Sequence, residues 1–377
     1  MLIQTQPPVH LTYCLNIHPG ESWAEHFAAI RDQARRVRDR VAPGRAFGLG
    51  LRLGRAAAAT LGAAGRATEF RRWLADENLY VFTLNGFPYG AFHGARVKEQ
   101  VYAPDWTAPE RRDYTIQLAN ILAELLPAGV AGSISTAPGS YRAWIRAREQ
   151  VHVMRRHLAD CAGHLEQLHQ AAGREIVLAL EPEPDGWLEH SGDAGLELLP
   201  PSRHLGICLD TCHAALAFED PLAALRQYRL AGRPVVKMQW SHALEADNTP
   251  AARAALAAFA EPVYLHQVRA RLPDGQVRAW PDLPEALRDL PELPAATLIR
   301  THFHVPLHWT GSPVLRSTAA DLAPELFAVL RSGVVPHLEI ETYTFDVLPA
   351  AAKPADLVAS IAQEFTHALG RWDAARA

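Results

Sequence analysis

Three apolar runs in the sequence each stop at a side chain that can bind a cation. Leu205–Asp210 closes on an aspartate, with His213 three residues further on. Glu175–Glu181 ends in a glutamate, and His337–Glu341 repeats the design near the C-terminus. A fourth run, Val235–Ser241, carries Gln239 near its end. Strand side chains alternate, so residues two apart share a face. One face therefore holds Val177, Ala179 and Glu181; others hold Cys208 with Asp210, Lys237 with Gln239, and Glu339 with Glu341 and Tyr343. If these faces point inward, Glu181, Asp210, Gln239 and Glu341 gather at one end of the strands. Carboxylates and a histidine supplied by separate strands make an oxygen-rich site of the kind that Mn²⁺, Mg²⁺ or Co²⁺ prefers, with Zn²⁺ also possible.

Each residue also has a structural reading. A lone carboxylate at a strand end often caps the next helix, but three at matched strand ends favour a metal site at a barrel mouth. Glu339 should lie deeper, paired with Lys237. Glu183, after Pro182, reads as a surface residue. His302, His304 and His308 share a strand face, a spacing that suits a metal or anionic ligand and equally suits solvated histidines. His18 and His93 lie in loops beside strand ends and are candidates for substrate contact. Phe87, Tyr89 and Trp240 could stack on a sugar or apolar ligand, with core packing the default for any one of them.

The elements that would position these residues alternate between strand and helix, the pattern of a parallel sheet wrapped by helices. Strands are expected at 10–17, 47–53, 78–85, 131–136, 175–181, 205–210, 235–241 and 336–343. Helices are expected over 23–41, capped by Ser22 and Glu25, and over 66–77, 107–126, 141–172 and 353–369. This is the α/β class: a single (β/α)8 TIM barrel over residues 1–377, its active site at the C-terminal strand ends. Between the seventh and eighth strands, a hairpin turning at 273–275 and a strand at 297–307 exceed what the barrel needs. They are expected to form an insertion, about 244–310, over the mouth.

With 49% hydrophobic and 21% charged residues among 377, the chain can build a sizeable core. A net charge of −4 offers no basic footprint for nucleic acid. Four cysteines, Cys14, Cys161, Cys208 and Cys212, make no disulfide framework. Cys208 and Cys212 flank Asp210 and read as packing residues before ligands. With no signal peptide or membrane-length apolar run, a soluble, cytoplasmic protein is expected.

A Glu-Pro after one strand, Asp-x-x-His after the next and Glu after the last resembles the xylose-isomerase-like TIM-barrel superfamily of sugar isomerases and epimerases. Stretches 10–23, 85–90, 303–306 and 337–343 further resemble the EboE family of metabolite-traffic proteins. The resemblance implies a bound divalent metal with Glu181, Asp210 and Glu341 as ligands and His213 as a substrate contact. In the sugar epimerases a histidine on the seventh strand is the fourth ligand. Gln239 stands there in this chain, so His242, His266 or His304 would replace it, or Gln239 would bind through its carbonyl. The implied chemistry is proton transfer beside a carbonyl, with Glu181 and Glu341 as general base and acid. Lys237 would hold a phosphate or carboxylate of the substrate, or sit buried with a carboxylate. The substrate would be a small polyhydroxylated metabolite, with a transient membrane-protein partner and no nucleic acid. The alternative is a barrel that binds and hands on a metabolite without turnover. A zinc phosphodiesterase acting on DNA would need more histidines and a basic groove.

Overall fold

The computed structural model describes residues 1–92, 98–350 and 353–375. Apolar runs rich in Val, Ile, Leu and Phe become strands. In chain order these are β1 (Leu2–Thr5), β2 (Pro8–Tyr13), β3 (Phe47–Arg52), β4 (Leu79–Asn85), β5 (Gly132–Thr136), β6 (Ile176–Leu180), β7 (Leu205–Asp210) and β8 (Val235–Trp240). Next come β9 (His242–Asp247), β10 (Val268–Arg271), β11 (Val277–Trp280), β12 (Leu298–Val305), β13 (Arg316–Ser317) and finally β14 (His337–Ile340).

The first sheet runs β1-β2-β14-β8-β7-β6-β5-β4-β3. All its pairings are parallel except β1 on β2. Its open ends meet: Cys14 and Gly50 form a parallel bridge, and Thr12 Oγ1 donates to the Gly48 carbonyl at 2.8 Å. With β1 set aside, eight parallel strands close into the expected α/β barrel. Gly50 has to be glycine because Glu339 crosses the interior beside it; a Cβ there would lie 1.8 Å from Glu339 Oε1. Strands buried on both faces need no polar alternation, which is why β7 and β14 are buried throughout. The helix starting at Trp23 has the expected capping box: Ser22 accepts from Glu25 N–H, and Glu25 accepts from Ser22 N–H at 2.9 Å.

The insertion is larger than a hairpin. It forms an antiparallel sheet in the order β11-β10-β12-β9-β13. The expected hairpin and the 297–307 strand are both there, with β12 in the middle rather than alone. Three strands were not anticipated: β1, β9 and β13. One continuous apolar cluster runs through both sheets and includes Leu178, Ile207 and Leu338 of the barrel with Val268, Ile299 and Phe303 of the insertion. The helix expected from 141 begins at Arg148, after a short 3₁₀ turn at Arg142–Trp144. Among the described residues, no helix is long and apolar enough to cross a membrane.

Candidate metal centre

Glu181 directly follows β6, its N–H held by the Thr136 carbonyl at 3.0 Å. Glu341 directly follows β14, its N–H held by the Trp240 carbonyl at 3.1 Å. Asp210 ends β7 and caps the short helix Thr211–Leu216. Backbone pairing in the barrel wall thus sets all three carboxylates on one rim, where ligand oxygens of Glu181, Asp210 and Glu341 lie within 4.8 Å of one another.

Asp210 divides its two oxygens: one caps the helix that follows, and the other is left for a ligand. Oδ1 accepts from Cys212 N–H at 2.7 Å, His213 N–H at 3.1 Å and the Ser241 hydroxyl at 2.6 Å. Oδ2 is buried with no hydrogen-bond partner among the described residues. On Glu341, Oε1 accepts from Asn16 Nδ2 at 2.8 Å. Burial, then the charge of Asp210, pushes the Glu181 carboxyl well above the usual range. Burial, then Glu181 and Asp210, does the same to Glu341. Burial lifts Asp210 too, but attraction to His213 and His304 in their protonated form, with the Ser241 hydroxyl, outweighs it, and its carboxyl falls below the ordinary value. Three carboxylates this close and this dry cannot all ionise without a cation among them. The donor set fits a divalent metal.

Of the candidates for the missing strand-seven ligand, His304 is the one that arrives. It comes from β12, with Nε2 at 4.0 Å from Asp210 Oδ2 and Nδ1 at 3.9 Å from Glu341 Oε2. Its Nδ1–H donates to the Glu341 carbonyl at 3.0 Å, which leaves the Nε2 lone pair for a ligand. Gln239 lies on the cavity wall, its carbonyl accepting from the Cys208 thiol at 3.2 Å. His242 is turned away beside His367, and burial and that neighbour push it down to about 3. His266 sits behind the site, with Nδ1–H on the His302 carbonyl at 2.8 Å and Nε2 facing Glu261 at 2.8 Å.

His213 lies at the site, with Nδ1 at 4.0 Å from Glu181 Oε1. Lys237 lies deeper, its ammonium 2.6 Å from Glu339 with both side chains fully buried. Burial alone would lower Lys237; the Glu339 carboxylate more than reverses that. It is therefore a structural partner and does not line the cavity. Trp240 packs outward on Phe327, ring centroids 4.8 Å apart, and is core. His18 bonds the Tyr13 hydroxyl at 2.8 Å and is absent from the cavity wall. His93 lies outside the described residues.

Three contributors were missed or misread. Glu183 is buried on the cavity wall, not on the surface; the Pro on each side of it was the available signal, since both hold the chain in an extended turn back toward the rim. His302, weighed evenly against a solvated role, is fully enclosed. Asn16 had no sequence signal. His308, two residues past Pro306, points elsewhere and does not line the cavity. The cavity, about 570 Å³ with its open mouth, is walled on the outer side by Phe87, Phe92, Tyr264 and Tyr343. Phe92, Tyr264 and Tyr343 form a triangle with ring centroids 5.1–5.2 Å apart. Tyr89 is outside it, packed on Tyr114 at 5.0 Å.

No protein-family model and no curated protein sequence matches the chain. Among solved structures, a xylose isomerase domain protein from Alicyclobacillus acidocaldarius superposes with a TM-score of 0.48 at 12% identity, over 97% of this chain and 100% of that one. One from Planctomyces limnophilus gives 0.46 at 15%, over 87% and 88%. A fusion of a xylose isomerase-like TIM barrel with 4-hydroxyphenylpyruvate dioxygenase gives 0.49 at 13%, over 98% of this chain and 43% of that one. The barrel assignment itself rests on strand order and closure.

Proposed function

We propose that the barrel mouth binds a divalent metal and catalyses proton transfer on a small polyhydroxylated carbonyl compound, as a sugar isomerase or epimerase does. The observation that carries this reading is the convergence of Glu181, Asp210 and Glu341 on one rim within 4.8 Å. A metal held there, with His304 beside it, supplies Lewis-acid polarisation of a carbonyl oxygen. Glu181 and Glu341 are then the proton-transfer groups: both line the cavity, on strands separated by β7 and β8. Asn16 orients Glu341 through its 2.8 Å bond. The aromatic wall would shield the reacting carbon from water and stack on the apolar face of a sugar. Metabolite traffic and a cytoplasmic setting belong to the same proposal.

The test is exchange of solvent deuterium into a panel of ketoses and aldoses, followed by NMR with the metal-loaded protein. Incorporation at the carbon beside the carbonyl, lost in Glu181→Gln and Glu341→Gln, is expected. A second reading, capture of a metabolite without turnover, is favoured by one observation: Gln239, where the sugar epimerases carry a histidine, is engaged with Cys208. A sugar that binds but never exchanges would select it.

A further inference from the structure

The residues outside the carboxylate triad make a second cluster with its own logic. His213, on the helix after β7, and His302 and His304, on β12, bring their rings together. His302 Nε2 is 3.2 Å from His213 Nε2 and 3.2 Å from His304 Nε2. The opposite nitrogen of each ring is committed. His213 Nδ1 meets the Pro182 carbonyl at 2.9 Å, and His304 Nδ1 meets the Glu341 carbonyl at 3.0 Å. His302 Nδ1 meets Gln267 Oε1 at 2.6 Å. The Gln267 amide is itself oriented, because its Nε2 donates to the Pro184 carbonyl at 3.1 Å.

A carbonyl oxygen can only accept, so each Nδ1 carries the proton and each neutral ring turns a bare Nε2 lone pair inward. The two 3.2 Å contacts are then lone pair against lone pair and cannot be hydrogen bonds. Tyr343 Oη, 3.4 Å from His302 Nε2, can serve at most one of the three. Two imidazole nitrogens bound at about 2.0–2.1 Å to one tetrahedral ion stand about 3.3–3.4 Å apart, close to the His213–His302 and His302–His304 separations. Two buried carboxylate oxygens without hydrogen-bond partners among the described residues, Asp210 Oδ2 and Glu183 Oε2, flank the cluster. Asp210 can offer a ligand atom within 4.8 Å of one each from His213 and His304, and Glu183 within 4.8 Å of one each from His213 and His302; Asp210 Oδ2 itself is 4.0 Å from His304 Nε2.

We propose that the mouth holds two cations. One sits among Glu181, Asp210 and Glu341; the other sits on Nε2 of His213, His302 and His304, with Asp210 shared between them. The nitrogen-rich seat suits Zn²⁺ or Co²⁺, whereas the oxygen-rich seat accepts Mg²⁺ or Mn²⁺ as well. Histidines whose Nδ1–H is anchored to a carbonyl are the usual form of such ligands. The proposal rests on the reading above only through the shared aspartate.

Full-length protein stripped of metal, reloaded with ZnCl₂ and desalted can be analysed for bound zinc by mass spectrometry. Calorimetric titration of the same protein with Zn²⁺ gives the separate affinities. Two equivalents are expected in the wild type, one in His302→Ala, one in Glu181→Gln, and loss of both from tight binding in Asp210→Ala. If His302→Ala does not fold, Gln267→Leu leaves every ligand in place and removes only the anchor of His302. It should weaken one of the two ions by about 10–100-fold. A wild type that holds one equivalent, unchanged by His302→Ala and Gln267→Leu, overturns the second seat and leaves the carboxylate seat standing. Two equivalents that both survive these variants overturn it as well. No tightly bound zinc at all would remove both seats together.

Discussion

Lys237 and Glu339 meet in the floor of the barrel, 2.6 Å apart and shut off from solvent. Asn85 Nδ2 donates to both Glu339 oxygens at 3.1 Å, and its Oδ1 accepts from Lys237 Nζ at 2.8 Å, so every charge there has a partner. Breaking such a pair from one side costs more than the pair itself contributes, because the remaining charge stays buried and uncompensated. Lys237→Met should lower unfolding stability by about 3–5 kcal/mol. The Lys237→Met, Glu339→Leu double variant should recover a large part of that in urea unfolding. If Lys237 instead anchored a substrate, Lys237→Met would spare stability and weaken substrate binding. The residue's role as a floor strut thus predicts a thermodynamic effect before a kinetic one.

At the scale of elements, the strand ends depend on the C-terminal helix, Leu357–Ala374. Its Glu364 reaches across to accept from Leu307 N–H at 3.1 Å, just past β12, and from the Thr342 hydroxyl at 2.6 Å, just past β14. One carboxyl group therefore ties together the strand carrying His302 and His304 and the strand end carrying Glu341. Burial raises this carboxyl from an ordinary 4.5 to about 7. The folded protein therefore keeps the proton to a higher pH than the unfolded chain does. The resulting stabilisation is complete below about pH 4.5 and is lost as pH rises through about 7, a change on the order of 3 kcal/mol. Unfolding free energy measured across that window should fall with this slope in the wild type and be flatter in Glu364→Gln. An unchanged slope in the variant would show that the proton sits elsewhere.

For the whole molecule, the mouth concentrates buried negative charge and neutral imidazoles at the junction of two sheets, and a cation that binds only the folded state must stabilise it. At a concentration of divalent ion one hundredfold above Kd the gain should be about 2.7 kcal/mol. Thermal unfolding should therefore move upward with added Zn²⁺ or Mn²⁺ and back down with a chelator, and the shift should be absent in Asp210→Ala. The barrel was legible in the chain because parallel strands must be apolar on both faces, and such runs stand out. So were Glu181, Asp210 and Glu341, since a strand fixes the direction of the residue at its end. The His242–Asp247 strand was not legible: its Ala, Leu and Glu favour helix, and it is a strand only because β12 and β13 pair with it on either side. Asn16, which donates to Glu341, was hidden for the same reason. Local sequence dictates which side of its own strand a residue occupies, and so it determined the wall and the acidic rim. Where an inserted sheet docks on that wall depends on contacts between residues far apart in the chain, and only that docking decided that His302 and His304, rather than His242 or His266, line the cavity beside the carboxylates.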